Sequence, residues 1–157
     1  MLYMLLRFIE NQYQQILNFL SEQHHRRSEE RRKMFLARIQ PQPELDFIAN
    51  CFHTACERQR KVAIAVRNAI AKLGCVESIF IRSEACFEDF DLLPFWECCG
   101  DAGFDSVLFI EAIQEELGVK FTNEQLSSLS VSDPDLNTQM KISEFVRDFY
   151  RWYSNLL

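Results

Sequence analysis

DAGFDSVLFIEAIQEELGVKF, residues 101–121, places Asp105 and Ser106 ahead of an apolar-acidic run that stops at Gly118. At 100° per residue, Phe109, Ile110, Ile113 and Leu117 share one face of a helix, and that face reads as core. Glu111 and Glu115 fall on the opposite side, one turn apart, with Leu108 and Ala112 beside them. A leucine between carboxylates on a solvent face suits a docking surface, where the leucine supplies apolar contact and the acids steer a basic partner. Ser106 stands at the helix entrance. Unpaired N–H groups and the helix dipole there favour an anion attached to its hydroxyl, although Asp or Ser at this place also simply caps a helix.

The surrounding chain reads as further helices. Residues 57–73 carry Val62, Ala65, Val66, Ala69, Ile70 and Leu73 as an apolar stripe, with Gly74 placed to end the helix. A long connection follows, in which Ile79, Ile81 and Phe87 are the residues expected to dock, and Pro94 and many acids keep much of it irregular. Beyond the acidic helix, Thr122 and Gln125 form a capping box for a short helix over 123–129. SVSDPDLNTQ reads as a loop. A last helix over 140–157 carries Ile142, Phe145, Val146, Phe149, Trp152 and Tyr153.

Upstream, Leu2, Leu5, Leu6, Ile9, Tyr13, Ile16, Leu17 and Leu20 recur at three- and four-residue spacing, so residues 1–39 read as amphipathic helix, in one piece or two. Its polar segment has six basic residues between His24 and Arg38 (Arg26, Arg27, Arg31, Arg32, Lys33, Arg38) against Glu29 and Glu30. That segment reads as a solvated face, and membrane contact is not expected of it. Pro41 and Pro43 break the helix and mark a boundary. The expected organisation is an N-terminal helical extension, 1–43, and a helical domain, 44–157, with a short helix from Glu44 to about Cys56.

Composition limits the function. The 157 residues are 48% hydrophobic, with fourteen phenylalanines for a core and only four glycines and four prolines, which argues for helices. No apolar run approaches the roughly 20 residues that span a bilayer, and no export signal is legible, so a cytoplasmic location is expected. Cys51, Cys56, Cys75, Cys86, Cys98 and Cys99 show no metal-ligand spacing with His24, His25 or His53, and read as free thiols. The net charge of −6 is unevenly spread: from Ser83 to Val119 there are ten acids and no lysine or arginine. Such a surface repels nucleic acid and attracts basic protein faces. No nucleophile–base pair or phosphate-binding loop is readable, so no enzymatic activity is expected.

Taken together, helix 58–73, loop 74–103, acidic helix 105–117, short helix 123–129 and last helix 140–156 resemble the acyl and peptidyl carrier proteins. SIFIRSEACFEDF also resembles the isoleucine and Phe-x-x-Asp-Leu elements that precede the carrier serine. The resemblance covers residues 58–156 and implies an all-α, four-helix carrier-like bundle with a long first loop. It further implies Ser106, beside Asp105, as the attachment site of 4′-phosphopantetheine, which would hold an acyl or aminoacyl group. Leu108, Glu111, Ala112, Glu115 and Glu116 would then dock basic surfaces of acyl- or aminoacyl-handling enzymes. In the family about fifteen residues separate the serine from the residue ending the second helix; here Ser106 and Gly118 are twelve apart. Aligning on Glu-Glu-Leu-Gly puts Gly103 at the serine position. The alternative reading is thus a carrier fold without the prosthetic group, acting as an acidic interaction module.

Overall fold

Six helices follow from this pattern in the computed structural model, which describes residues 2–93, 106–131, 133–134 and 136–156. They are α1 (Leu2–Arg38), α2 (Glu44–Cys51), α3 (Glu57–Leu73), α4 (Ser106–Leu117), α5 (Asn123–Ser127) and α6 (Ile142–Ser154). Two 3-10 turns, Ser78–Phe80 and Phe87–Phe90, lie between α3 and α4. The described residues form no strand; their architecture is an all-helical bundle.

α1 is one helix rather than two and ends ahead of the proline pair, where the ring of Pro41 would clash with a continuing helix. Pro43 then caps α2, which buries Phe47, Ile48 and Cys51. α2 ends earlier than expected because Phe52 turns extended (φ −142°).

α3 is the central helix. Gln59 reaches back to accept from the backbone N–H of Cys56, satisfying a donor that would otherwise be unpaired at the helix start. Val62, Ala63, Ala65, Val66, Ala69, Ile70 and Ala71 are all buried. Four alanines in that set let neighbours approach closely, and α4 packs more extensively on α3 than any other pair of elements does. At its end Gly74 is an ordinary right-handed residue (φ −80°), and the left-handed position falls on Cys75 (φ +52°). Val76 N–H donating to Ala71 O at 3.0 Å closes a Schellman-type turn there.

The long connection docks where the sequence expected at Ile81 and Phe87, both fully buried, whereas Ile79 is exposed. It is held to α6 by an isolated antiparallel bridge between Cys86 and Lys141. Ile142 N–H donates to Ala85 O at 2.9 Å and Ser143 N–H to Ser83 O at 2.8 Å. The bridge sets Phe87 against Phe109 and Phe145, with ring centroids 5.7 and 5.6 Å away. Phe121, Phe149 and Trp152 continue this aromatic core toward the end of α6. Phe35 of α1 and Gln42, both on the extension side of the expected boundary, are buried in the same unit, Phe35 against Phe90.

Candidate functional site

α4 starts at Ser106, so its hydroxyl stands at a helix entrance as the sequence indicates; Asp105 lies outside the described residues. The Ser106 hydroxyl donates to Asp133 Oδ1 from the loop ahead of α6. Two adjoining cavities meet at this serine. The larger, about 400 Å³, opens between α4 and α5 and is lined by Ile110, Phe121, Leu126 and Leu129, with Glu111, Gln114 and Lys120 at its rim. The smaller, about 240 Å³, continues beneath it to Val131, Pro134 and Phe145. A helix N-terminus with an apolar groove beside it can accept a ligand that has an anionic head and an apolar tail.

The solvent face of α4 differs from its sequence reading at one residue. Leu108 is 42% exposed and Glu111 is exposed, with Val107 more so at 68%. Ala112, expected beside them, is 5% exposed. It lies only 60° around the helix from Phe109, and close packing on the alanine-rich α3 widens the buried arc to include it. A small buried side chain cannot meet a partner, so Ala112 leaves the docking set.

Two of the acids have partners within the chain. Glu115 pairs with Lys72 of α3, and this carboxylate's hydrogen bond and charge raise the lysine above its ordinary pKa. Glu116 accepts from Asn68 Nδ2 at 3.0 Å. Both contacts are solvent-exposed and so contribute little stability. The Lys72 ammonium offsets one carboxylate at this end of the helix, whereas the neutral Asn68 amide leaves the charge of Glu116 in place.

Sequence reasoning missed the groove wall. Leu126 and Leu129, three apart on and just beyond α5, carried a usable signal, since that spacing sets both on one side. Asp133 carried none, because its contact with Ser106 spans twenty-seven positions.

Other clefts carry charged and imidazole side chains. One of about 670 Å³ lies between the end of α1 and the Arg82–Leu92 segment and mixes Arg38 and Arg82 with Glu84, Glu88, Asp89 and Asp91. Among the described cysteines all four thiols are free. Burial pushes the Cys51 thiol up to about 12, with Arg147 and Arg67 opposing it. The exposed Cys56 thiol is lowered, chiefly by the backbone N–H of Gln59 and then by the Tyr150 hydroxyl. Among the described residues no cluster of three or more His, Cys, Asp or Glu is placed to hold a metal, and no helix is long and apolar enough to cross a membrane.

Compared with protein-family models, with curated proteins and with solved structures, the chain finds no match in any of the three.

Proposed function

We propose that this is a carrier-type helical protein that presents Ser106 for attachment of 4′-phosphopantetheine, shelters the attached acyl or aminoacyl group, and docks basic partner enzymes through α4. The observation that carries the reading is the position of Ser106, which opens α4 and lines two adjoining cavities, the larger of them mainly apolar. The order of elements supports it: a long helix, a long docked loop, an acidic helix, a short helix and a last helix. When bound, the phosphopantetheine supplies the thiol on which an acyl group is carried as a thioester. The chain's own residues fit that load. The positive end of the α4 dipole favours a phosphodiester, and Ile110, Phe121, Leu126 and Leu129 would cover an apolar tail. Leu108 and Glu111, with Val107, form the face left for a partner; catalysis would belong to that partner.

One contact favours a second reading, in which the fold is an interaction module without the prosthetic group. Asp133 holds the Ser106 hydroxyl, and its carboxylate would stand beside the phosphodiester and repel it.

Intact mass after incubation with coenzyme A and a broad-specificity phosphopantetheinyl transferase separates the two. The carrier reading expects a gain of about 340 Da, abolished in Ser106→Ala and faster in Asp133→Asn, which keeps the shape and removes the charge. No gain in either the natural chain or Asp133→Asn would leave the interaction module.

A further inference from the structure

A cavity of about 540 Å³ lies between the end of α2, the link over 52–56, the first turn of α3 and α6, and it shares no lining residue with the two cavities at Ser106. Arg147, His53, Thr54 and Gln59 line it, together with Phe52. Arg147 Nη1 donates to Cys51 O, the last carbonyl of α2, at 3.3 Å, and the other hydrogens of the guanidinium are left for a further acceptor. Gln59 Oε1 accepts from the Cys56 N–H at 2.9 Å, so the Nε2 hydrogens of that amide are left over as well. Among the described residues no acid lines this cavity, although the chain carries a net charge of −6. The helices around it hold five acids, Glu44, Asp46, Glu57, Glu144 and Asp148. Of these, Glu57 pairs with Lys61, Asp148 pairs with Arg151, and Glu144 accepts from the Lys141 N–H.

We propose that this cavity binds the phosphate monoester of a small organic molecule. The lining brings one fixed positive charge and several donors from three parts of the chain: Arg147 from α6, Gln59 from α3, and His53 and Thr54 from the link. A phosphate monoester offers three terminal oxygens in a tetrahedral arrangement and so accepts from three directions, whereas a carboxylate offers two oxygens in one plane. The planar fork of an arginine matches two of the phosphate oxygens at once. Size selects an ester over the bare ion, because the cavity exceeds a phosphate ion several-fold. Phe52 supplies an aromatic wall for the organic part. It is half-buried and set edge to face against Tyr150, with ring centroids 5.5 Å apart. The site stands on elements other than α4 and α5, so its occupancy does not depend on what Ser106 carries.

The test is calorimetric titration of the full chain with phenyl phosphate, inorganic phosphate and benzoate. Phenyl phosphate is expected to bind once per chain, more tightly than inorganic phosphate and at least about tenfold more tightly than benzoate. Arg147→Gln, which keeps a donor for Cys51 O, is expected to weaken phenyl phosphate about tenfold or more, whereas Arg38→Gln, with the same change of charge, leaves it unaltered. His53→Ala with Thr54→Val changes two exposed residues of the link and is expected to weaken binding about tenfold without disturbing the fold. Trp152 is buried in the domain core, so an unchanged emission spectrum shows that the variants have folded. No binding of phenyl phosphate to the natural chain at concentrations on the order of 10 mM would overturn the proposal. So would benzoate binding as tightly as phenyl phosphate, or an affinity unchanged in the paired link variant. Loss of binding in Ser106→Ala would overturn it too, by moving the phosphate to the entrance of α4.

Discussion

The guanidinium of Arg67 is 2% exposed and donates to three backbone carbonyls, those of Ile81 (3.0 Å), Ile79 (3.3 Å) and Gln42. Its carbon also lies 4.6 Å from the centre of the Phe47 ring, and burial pulls its pKa below the ordinary arginine value. One side chain of α3 thus fixes the loop after α3, the link before α2, and α2 itself. Arg67→Met keeps most of the apolar length but strands two carbonyls, those of Ile81 and Gln42, each costing about 1–3 kcal/mol when buried unpaired, whereas Ile79 O keeps the Gln42 N–H at 2.8 Å. A loss of about 3–5 kcal/mol in urea unfolding is expected, with only partial recovery in Arg67→Lys, whose point charge cannot span three acceptors. A loss below about 1 kcal/mol would mean that water replaces the guanidinium. None of this was legible in the sequence. A polar residue on a helix stripe reads as solvent-facing, and its acceptors are main-chain atoms of segments 12 to 25 positions away.

Helix ends and helix faces divide the legible from the hidden more evenly. α3 begins and ends within a residue of its expected limits, and the Thr122–Gln125 box forms as the spacing indicates, because these signals are local. The arc of α4 that is buried was misjudged at Ala112, since the width of a buried face depends on the neighbour and not on the helix. The candidate site divides in the same way: Ser106 at the helix entrance was readable, and its Asp133 partner and groove were not. Gly118 gives a clean measurement at this scale. It takes φ +67° at the end of α4, and a Cβ built there meets nothing within 4 Å. Gly118→Ala therefore tests backbone strain alone and is expected to cost about 1 kcal/mol in thermal unfolding. A cost of several kcal/mol would imply a steric conflict that this geometry lacks.

Across the whole molecule, the basic segment of α1 lies against the connection between α3 and α4, at Cys75 ahead of the acidic stretch and at Asp91 within it. Arg31 donates to Asp91 O, and Arg32 donates to Cys75 O at 3.3 Å. Sequence reasoning assigned this segment to solvent, and Lys33 with Glu29 does form such a surface pair. The two arginines instead pin the end of α1 over the loop, next to buried Phe35. Composition indicated a helical core, yet the order of closure could not be read from it, because the bundle is fastened by distant pairs. The Cys86–Lys141 bridge has a consequence in time as well as in space. Residues 85 and 142 can meet only after the whole intervening chain has looped back, and that entropy is lost before any contact compensates for it. α6 is thus expected to take its seat late, after the folding barrier. In a chevron measurement Val146→Ala should quicken unfolding and leave the folding rate nearly unchanged, whereas Ala69→Gly in α3 should slow folding. A slower folding rate in Val146→Ala would place α6 inside the nucleus. A helix that seats last is also the first to leave, so the smaller cavity beside Ser106, which Phe145 of α6 lines, would open on a shorter timescale than the domain unfolds.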